Sequence, residues 1–126
     1  MRQDLTMRPT GAPILSFESG VALRHWLEEH HDTSAGIWVR IYKASSGRPT
    51  VTFLEVLDEG LCFGWSESQR RSWDDESYLQ RFGPRRRHGT TSERNRTRAA
   101  RLIEEGRMTP AGIAALAMEM RTVSEG

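Results

Sequence analysis

The most concentrated chemistry in the sequence lies in residues 81–101, which hold eight arginines and one acid, Glu93. Guanidinium groups bind carboxylates and phosphates through planar pairs of hydrogen bonds. Three of these arginines, Arg85, Arg86 and Arg87, precede a predicted helix N-terminus, whose unpaired N–H groups attract anions. The pattern therefore predicts a site for phosphate, nucleic acid or an acidic partner.

The same span offers a second arrangement on the helix itself. On a helix that begins near Thr91, three arginines share one face at spacings of three and four residues: Arg94, Arg98 and Arg101. This face is the alternative candidate, a weak binder of nucleic acid or of another anionic partner. Binding to a polyanion needs accumulated positive charge, so a net charge of +1 weakens that hypothesis. The competing interpretation is a solvated face whose arginines pair with Asp74, Asp75 and Glu76.

Residues 61–87, LCFGWSESQRRSWDDESYLQRFGPRRR, mix bulky apolar side chains with charged ones. A hairpin, an arginine loop and the start of the next helix would form one surface. The candidate ligand contacts on that surface are Trp65, Glu67, Arg85, Arg86, Ser92 and Asn95. In this hypothesis the arginines hold an anionic group and Trp65 offers an apolar wall. The favoured function is a non-enzymatic binding module; an unrecognised enzyme that uses Glu67 as acid or base is a further alternative.

Metal and nucleophile chemistry find little support in the sequence. The four histidines, His25, His30, His31 and His88, nowhere combine the spacing and the third ligand that a tetrahedral zinc site needs. The run WDDE lacks the ligand pattern of a calcium loop and is typical of a turn. No serine lies in a nucleophile elbow. We therefore predict no metal, no cofactor and no catalytic residue.

Composition predicts a soluble protein with one core. A chain of 126 residues falls in the single-domain range. The one cysteine, Cys62, excludes an intramolecular disulfide, and its apolar neighbours predict a buried thiol rather than a nucleophile. No apolar run reaches the roughly 18 residues of a membrane span, and residues 1–13 lack the apolar middle of a signal peptide. We expect a cytoplasmic location; the partner and the oligomeric state stay open.

Periodicity and capping residues divide the first half of the chain into elements. Ser19 can cap a first helix, and GIWVRIYK, residues 36–43, alternates as a strand does. Thr52 and Glu55 have the form of a capping box, which opens a helix that Gly64 would end.

The second half is predicted to form a hairpin followed by two helices. DDES turns the chain so that residues 65–82 form two antiparallel strands, and a helix starts at residues 91–92. Gly106 ends this helix, and residues 109–110 begin another. Gly60 lies inside the earlier helix that Thr52 and Glu55 open. Glycine there lowers helix stability by about 1 kcal/mol relative to alanine, so its presence predicts close packing at that point.

Together these elements predict an α+β fold. A small antiparallel sheet, one strand plus a hairpin, would pack with about four helices in a single domain. We expect this domain to span residues 16–121, after a flexible segment 1–15 and before a tail at 122–126.

Several of these pieces follow an order that occurs in a known family. FESGVALRHWLEEHH, GIWVRIYK, TFLEVLDEGLCFGW, DDESYLQRFGPRR, SERN and GRMTPAGIAAL together resemble the YdeI/OmpD-associated family, whose members are often labelled bacteriocin-protection proteins. The resemblance covers residues 17–118. It implies a small, soluble, cytoplasmic bacterial protein associated with resistance to cationic antimicrobial peptides and with an outer-membrane porin. It implies no catalytic residue, because no chemistry is established for the family.

The sequence departs from that family's pattern in two places. Ser66 and Glu67 stand where the family tends to have Ile-Asp. The family also favours Ser-x-Trp-Ser-x-x-Asn, whereas GTTSERN here keeps Ser92 and Asn95 but lacks the first serine and the tryptophan. If the missing groups line a ligand pocket in the family, the pocket of this protein is altered and wider. If they are packing groups, this protein has lost local stability, because removal of a buried tryptophan costs about 3–5 kcal/mol unless neighbours compensate.

Overall fold

A computed structural model of the chain describes residues 11–85 and 93–125, with side chains up to residue 117. The elements in chain order are β1 (Ile14–Ser16), α1 (Gly20–His30), β2 (Ile37–Tyr42), a short 3-10 helix (Ala44–Ser46), α2 (Phe53–Phe63), β3 (Trp65–Ser72), β4 (Ser77–Pro84), α3 (Glu93–Glu104) and α4 (Pro110–Glu125). The predicted α+β class and the predicted β3–β4 hairpin are confirmed.

The sheet has four strands in the order β1-β2-β4-β3. β2, β4 and β3 pair antiparallel, as predicted, but β1 adds a fourth strand that runs parallel to β2. The sheet is therefore mixed rather than purely antiparallel. β1 begins at Ile14, inside the segment that was expected to be flexible, and three residues are too few to show an alternating pattern.

The helices cover one face of the sheet. β2 directs Ile37, Val39 and Ile41 into that face, as its alternation predicts. The same cluster buries residues from the helices and from β4, namely Leu23, Leu27, Val56, Leu61, Phe82 and Leu102. Each such side chain contributes about 1.5–3 kcal/mol by leaving water. On the opposite face Trp38 and Leu79 are buried as well.

Helix termini follow the predicted capping residues. The Ser19 hydroxyl accepts the backbone N–H of Ala22 at 3.1 Å, and Thr52 and Glu55 form a complete capping box. Gly64 ends α2 in the left-handed conformation, with φ of 76°.

The surroundings of Gly60 and the length of the last helix bear on two further predictions. A Cβ on Gly60 would lie 2.7 Å from the Trp65 carbonyl oxygen, which confirms the predicted close packing. α4 runs to Glu125, so it passes through the boundary predicted for a tail at 122–126. The predicted caps at residues 91–92 lie outside the described residues.

Candidate functional site

A cleft of about 330 Å³ opens at the base of the β3–β4 hairpin, on the sheet face opposite the helices. Its polar lining consists of two hydroxyls and two guanidinium groups, from Ser66, Ser68, Arg81 and Arg85. Small or cyclic residues, Ala35, Gly83 and Pro84, complete the described lining. A cleft of this size suits a small molecule.

Backbone geometry holds Arg81 in the cleft. Arg81 pairs with Trp38 across β4 and β2, its Nη1 donates to the Ile37 carbonyl at 3.0 Å, and its guanidinium carbon lies 5.9 Å from the Trp38 ring centroid. Gly36 makes room for it, because a Cβ there would lie 2.5 Å from Arg81 Nη1. Gly36 also has φ of 130°, which favours glycine. One nitrogen of this cation is thus fixed before any ligand arrives.

Arg85 is placed by the end of the hairpin ladder. Its backbone N–H donates to the Gly64 carbonyl at 3.0 Å, one step beyond the pairing of Trp65 with Pro84. Because Gly64 turns the chain from α2 into β3, the helix end and the arginine are held together. Arg85 therefore begins from a defined backbone position.

Strand alternation places the serines. Trp65 faces the core, so Ser66, opposite Gly83, faces the cleft, and Ser68 follows on the same side. Glu67 lies between them and is exposed, but it does not line the cleft. None of the described lining residues is acidic, and two of them, Arg81 and Arg85, are basic.

Of the four predicted ligand contacts that the structure describes, one lines this cleft. Trp65 is 2% exposed; its Nε1–H donates to the His31 carbonyl at 3.2 Å, and its ring lies 5.0 Å from Phe82. The prediction that Trp65 forms an apolar ligand wall is therefore wrong: the residue belongs to the core. Arg85 lines the cleft, whereas Glu67 does not.

Of the other three predicted contacts, the structure describes Asn95. Asn95 lies half-buried in the first turn of α3 and does not line the cleft. Arg86 and Ser92 lie outside the described residues. Sequence reasoning missed Ser66, Ser68 and Arg81, although alternation from the core residues Trp65 and Phe82 points to the cleft-facing positions.

The alternative arginine face forms a different arrangement. Arg98 Nη1 and Arg101 Nη2 both donate to Asp58 of α2, each at 3.0 Å, and Arg101 also pairs with Glu105 at 3.3 Å. A groove of about 370 Å³ runs past Arg94, Thr97, Arg98 and Arg101. The acids that hold this face are thus Asp58 and Glu105, so much of its positive charge is neutralised.

The predicted acidic partners of that face are instead bound at the hairpin turn. Asp74 accepts from Arg40 at 2.7 Å, and Glu76 accepts from Arg48 at 3.0 Å. Lys43 reaches the backbone carbonyl of Asp75 at 3.4 Å. The expected pairing of these acids with the α3 arginines is wrong, because β2 and the loop after it lie closer to the turn.

A buried ionic cluster lies between the helices. Glu59, with a side chain 5% exposed, accepts from Arg24 at 2.9 Å and from Arg107 at 2.6 Å. Cys62, one turn further along α2, is buried, as predicted, and burial is the main cause that raises the pKa of its thiol. A raised pKa keeps the thiol protonated at neutral pH, which does not suit a nucleophile.

The described part of the chain shows neither a metal-binding group nor a membrane-spanning helix. Residues 11–85 and 93–125 bring no three His, Cys, Asp or Glu side chains together as a metal-binding group. No helix in these ranges is long and apolar enough to span a membrane.

Comparison with known proteins gives a family but no activity. No curated protein and no solved structure is similar enough to the chain to count as a match. The sequence profile of one family, described as a domain of unknown function (DUF8412), matches residues 15–115. This range runs from β1 into α4 and contains all the described residues that line the cleft at the hairpin base. The chain therefore belongs to the DUF8412 family.

Proposed function

We propose that this protein is a binding module that holds a small anionic ligand in the cleft at the hairpin base. The observation that supports this most is the lining itself: two guanidinium groups and two hydroxyls converge, and no described lining residue is acidic. Guanidinium groups bind phosphate and carboxylate oxygens through charge-assisted hydrogen bonds, and serine hydroxyls donate to the same oxygens.

Preorganisation of Arg81 supports the same proposal. Its side chain already donates to the Ile37 carbonyl and lies against Trp38, so less rotamer entropy is lost when a ligand binds. Each hydrogen bond to the ligand would then contribute more to the binding free energy, because less of it is offset by ordering of the side chain. Because no described acid lines the cleft, the proposal assigns no catalytic residue.

The wider role follows from the resemblance to the YdeI/OmpD-associated family. We propose a cytoplasmic bacterial protein with a stress- or peptide-protection role. That role would be indirect, because the arginines of the cleft repel cationic peptides and the net charge of +1 gives no long-range attraction. The alternative, weak binding of nucleic acid through Arg94, Arg98 and Arg101, is less favoured because Asp58 and Glu105 already pair with two of the three.

Replacement of Arg85 tests the proposal. Arg81 also supports the fold through Ile37, so Arg85→Gln is the cleaner variant. NMR titration of the wild type with inorganic phosphate should shift the amides of Ser66, Ser68 and Arg85. Loss of one hydrogen bond to a charged group costs about 1.5–3 kcal/mol, so Arg85→Gln should weaken phosphate binding roughly tenfold to a hundredfold.

Arg71→Gln is the matched control. It removes the same charge from the same hairpin, at an exposed position of β3 that does not line the cleft. Phosphate affinity should stay within about twofold of wild type, since distant exposed charges are screened by salt. An equal loss of phosphate affinity in Arg85→Gln and Arg71→Gln would show that overall charge attracts phosphate and that the cleft does not bind it specifically. No shift at the cleft with phosphate, sulfate or acetate would overturn the proposal.

A further inference from the structure

A second cleft, of about 290 Å³, lies at the other end of β2. Its lining comes from the end of β1, the end of β2 and the loops that follow these strands: Ser16, Phe17, Glu18, Tyr42, Arg48 and Pro49. β1 and β2 are parallel neighbours joined by α1, and this cleft lies where both strands end. The carboxyl ends of parallel strands joined in this way are a common position for ligands.

The cleft has an aromatic surface that already carries cations. The guanidinium carbon of Arg40 lies 4.7 Å from the Tyr42 ring centroid, and that of Arg48 lies 5.2 Å from it. The electron-rich face of an aromatic ring attracts a guanidinium or ammonium group. Each arginine is also paired with an acid of the hairpin turn, Arg40 with Asp74 and Arg48 with Glu76.

The lining holds one acid and one base. Glu18 is the acid and Arg48 is the base, and Arg48 pairs with Glu76, which is not among the described lining residues. Glu18 is exposed at the cleft and forms no hydrogen bond or ion pair with another residue of the described ranges. A cationic ligand in the cleft would give the Glu18 carboxylate a partner.

Arg48 already places a cation against the Tyr42 ring and beside Glu76. Its side chain is 57% exposed and follows Gly47, a left-handed residue with open space around it. Arg40 is less exposed, at 27%, and also donates to Ser77. Arg48 is thus the more easily displaced of the two cations over Tyr42.

We propose that this cleft binds a small organic cation, a guanidinium or alkylammonium group, and that Arg48 is its intramolecular substitute. On binding, the ligand cation would lie over Tyr42 and pair with Glu76, while Arg48 moves into solvent. Glu18 would supply a second carboxylate. This site is independent of the anion cleft, because no residue lines both.

Methylguanidine tests this inference by NMR titration, with methylurea as a neutral control of the same shape. Methylguanidine should shift the amides of Phe17, Glu18 and Tyr42, and methylurea should not. Arg48→Ala removes the competing cation, so it should bind methylguanidine about tenfold more tightly than the wild type. Arg85→Gln, at the other cleft, should bind it as the wild type does.

Two further variants separate binding from folding. Glu18→Gln removes only an exposed carboxylate, so the protein should stay folded while methylguanidine affinity falls several-fold. Tyr42→Leu should lose the binding gained in Arg48→Ala. Butylamine shows which kind of cation the cleft prefers. Binding equal to that of methylguanidine indicates that any small organic cation fits, and weaker binding indicates a preference for a planar guanidinium group. Equal shifts with methylguanidine and methylurea, or unchanged affinity in Arg48→Ala, would overturn the inference.

Discussion

The tip and the base of the β3–β4 hairpin use charge in opposite ways. At the tip, Asp74 and Glu76 are bound by Arg40 and Arg48, and the Asp74 carboxylate also accepts from the Ser77 hydroxyl at 2.8 Å. At the base, the described residues that line the cleft include arginines and serines but no acid. One hairpin therefore has an end that is held by ion pairs to β2 and the loop after it, and an end where the charged residues of the described cleft lining are all basic.

This difference separates ion pairs formed within the chain from charge of one sign that lines a cleft. Where acid and base of one chain pair, the ion pair fixes a turn or joins two elements. Where charge of one sign collects in a cleft, a ligand of the opposite sign lowers the electrostatic free energy. Burial sets the scale of each effect, because water screens exposed pairs strongly. The ionic cluster at Glu59 extends the comparison into the interior.

The largest effect is expected for Glu59→Gln. Arg24 and Arg107 would keep their charges beside a neutral amide, with side chains only 24% and 34% exposed. Breaking a buried ion pair costs about 3–5 kcal/mol, and the partial exposure of both arginines reduces this to about 2–4 kcal/mol of unfolding free energy. Urea unfolding followed by tryptophan fluorescence measures the change.

Glu105→Gln is the control for that variant. Glu105 also pairs with Arg107, at 3.4 Å, but its side chain is 42% exposed. Its replacement should cost under about 1 kcal/mol. Equal costs at the two positions would show that burial does not set the strength of these pairs.

A smaller effect is expected for Gly36→Ala, which tests how the base cleft is built. The added Cβ would meet Arg81 Nη1 at 2.5 Å, and φ of 130° is strained for alanine. We expect a loss of about 1–3 kcal/mol in unfolding free energy together with weaker phosphate binding, because Arg81 must move.

Gly47→Ala separates the two causes. Gly47 has φ of 70° but nothing within 4 Å of an added Cβ, so alanine there meets backbone strain alone. Its phosphate affinity should equal that of the wild type. If Gly36→Ala also kept full phosphate affinity, the position of Arg81 would not matter for binding.

The smallest effect is expected at the hairpin tip and depends on pH. Hydrogen bonding from Ser77, with the nearby Arg40 charge as a lesser cause, lowers the pKa of Asp74 below its usual value. A lowered pKa in the folded state stabilises the fold above the pKa of the unfolded chain, about 3.9 for aspartate, and this stability is lost as pH falls through the folded value. Asp74→Asn should therefore lose less stability than the wild type between neutral pH and about pH 3.

Asp75→Asn controls for the loss of charge at the same turn. The Asp75 side chain forms no ion pair with a described residue, and only its backbone carbonyl contacts Lys43. This variant should keep the acid sensitivity of the wild type. The change in acid sensitivity that Asp74→Asn causes should stay under about 1 kcal/mol, because the Asp74 side chain is 42% exposed. Urea unfolding of the wild type and of both variants at neutral pH and at about pH 3 measures it.

Local sequence signals were sufficient for most of the fold. Ser19, the capping box of Thr52 and Glu55, and the left-handed Gly64 are local, because each contact joins residues a few positions apart. Alternation in β2 likewise showed which side chains enter the core. β1 was missed because three residues carry no period, and only pairing with β2 makes them a strand.

The sequence by itself determined the four helices, the strands β2 to β4, the turn at DDES and the buried state of Cys62. Tertiary structure decided the partners of each charge: Arg98 and Arg101 bind Asp58, forty or more positions away, rather than the nearer acids of the turn. It also decided that Trp65 belongs to the core and that Arg81 joins Ser66 and Ser68 in a cleft. The physical reason is that periodicity fixes the face on which a side chain lies, whereas ion pairs and clefts depend on which faces meet in space.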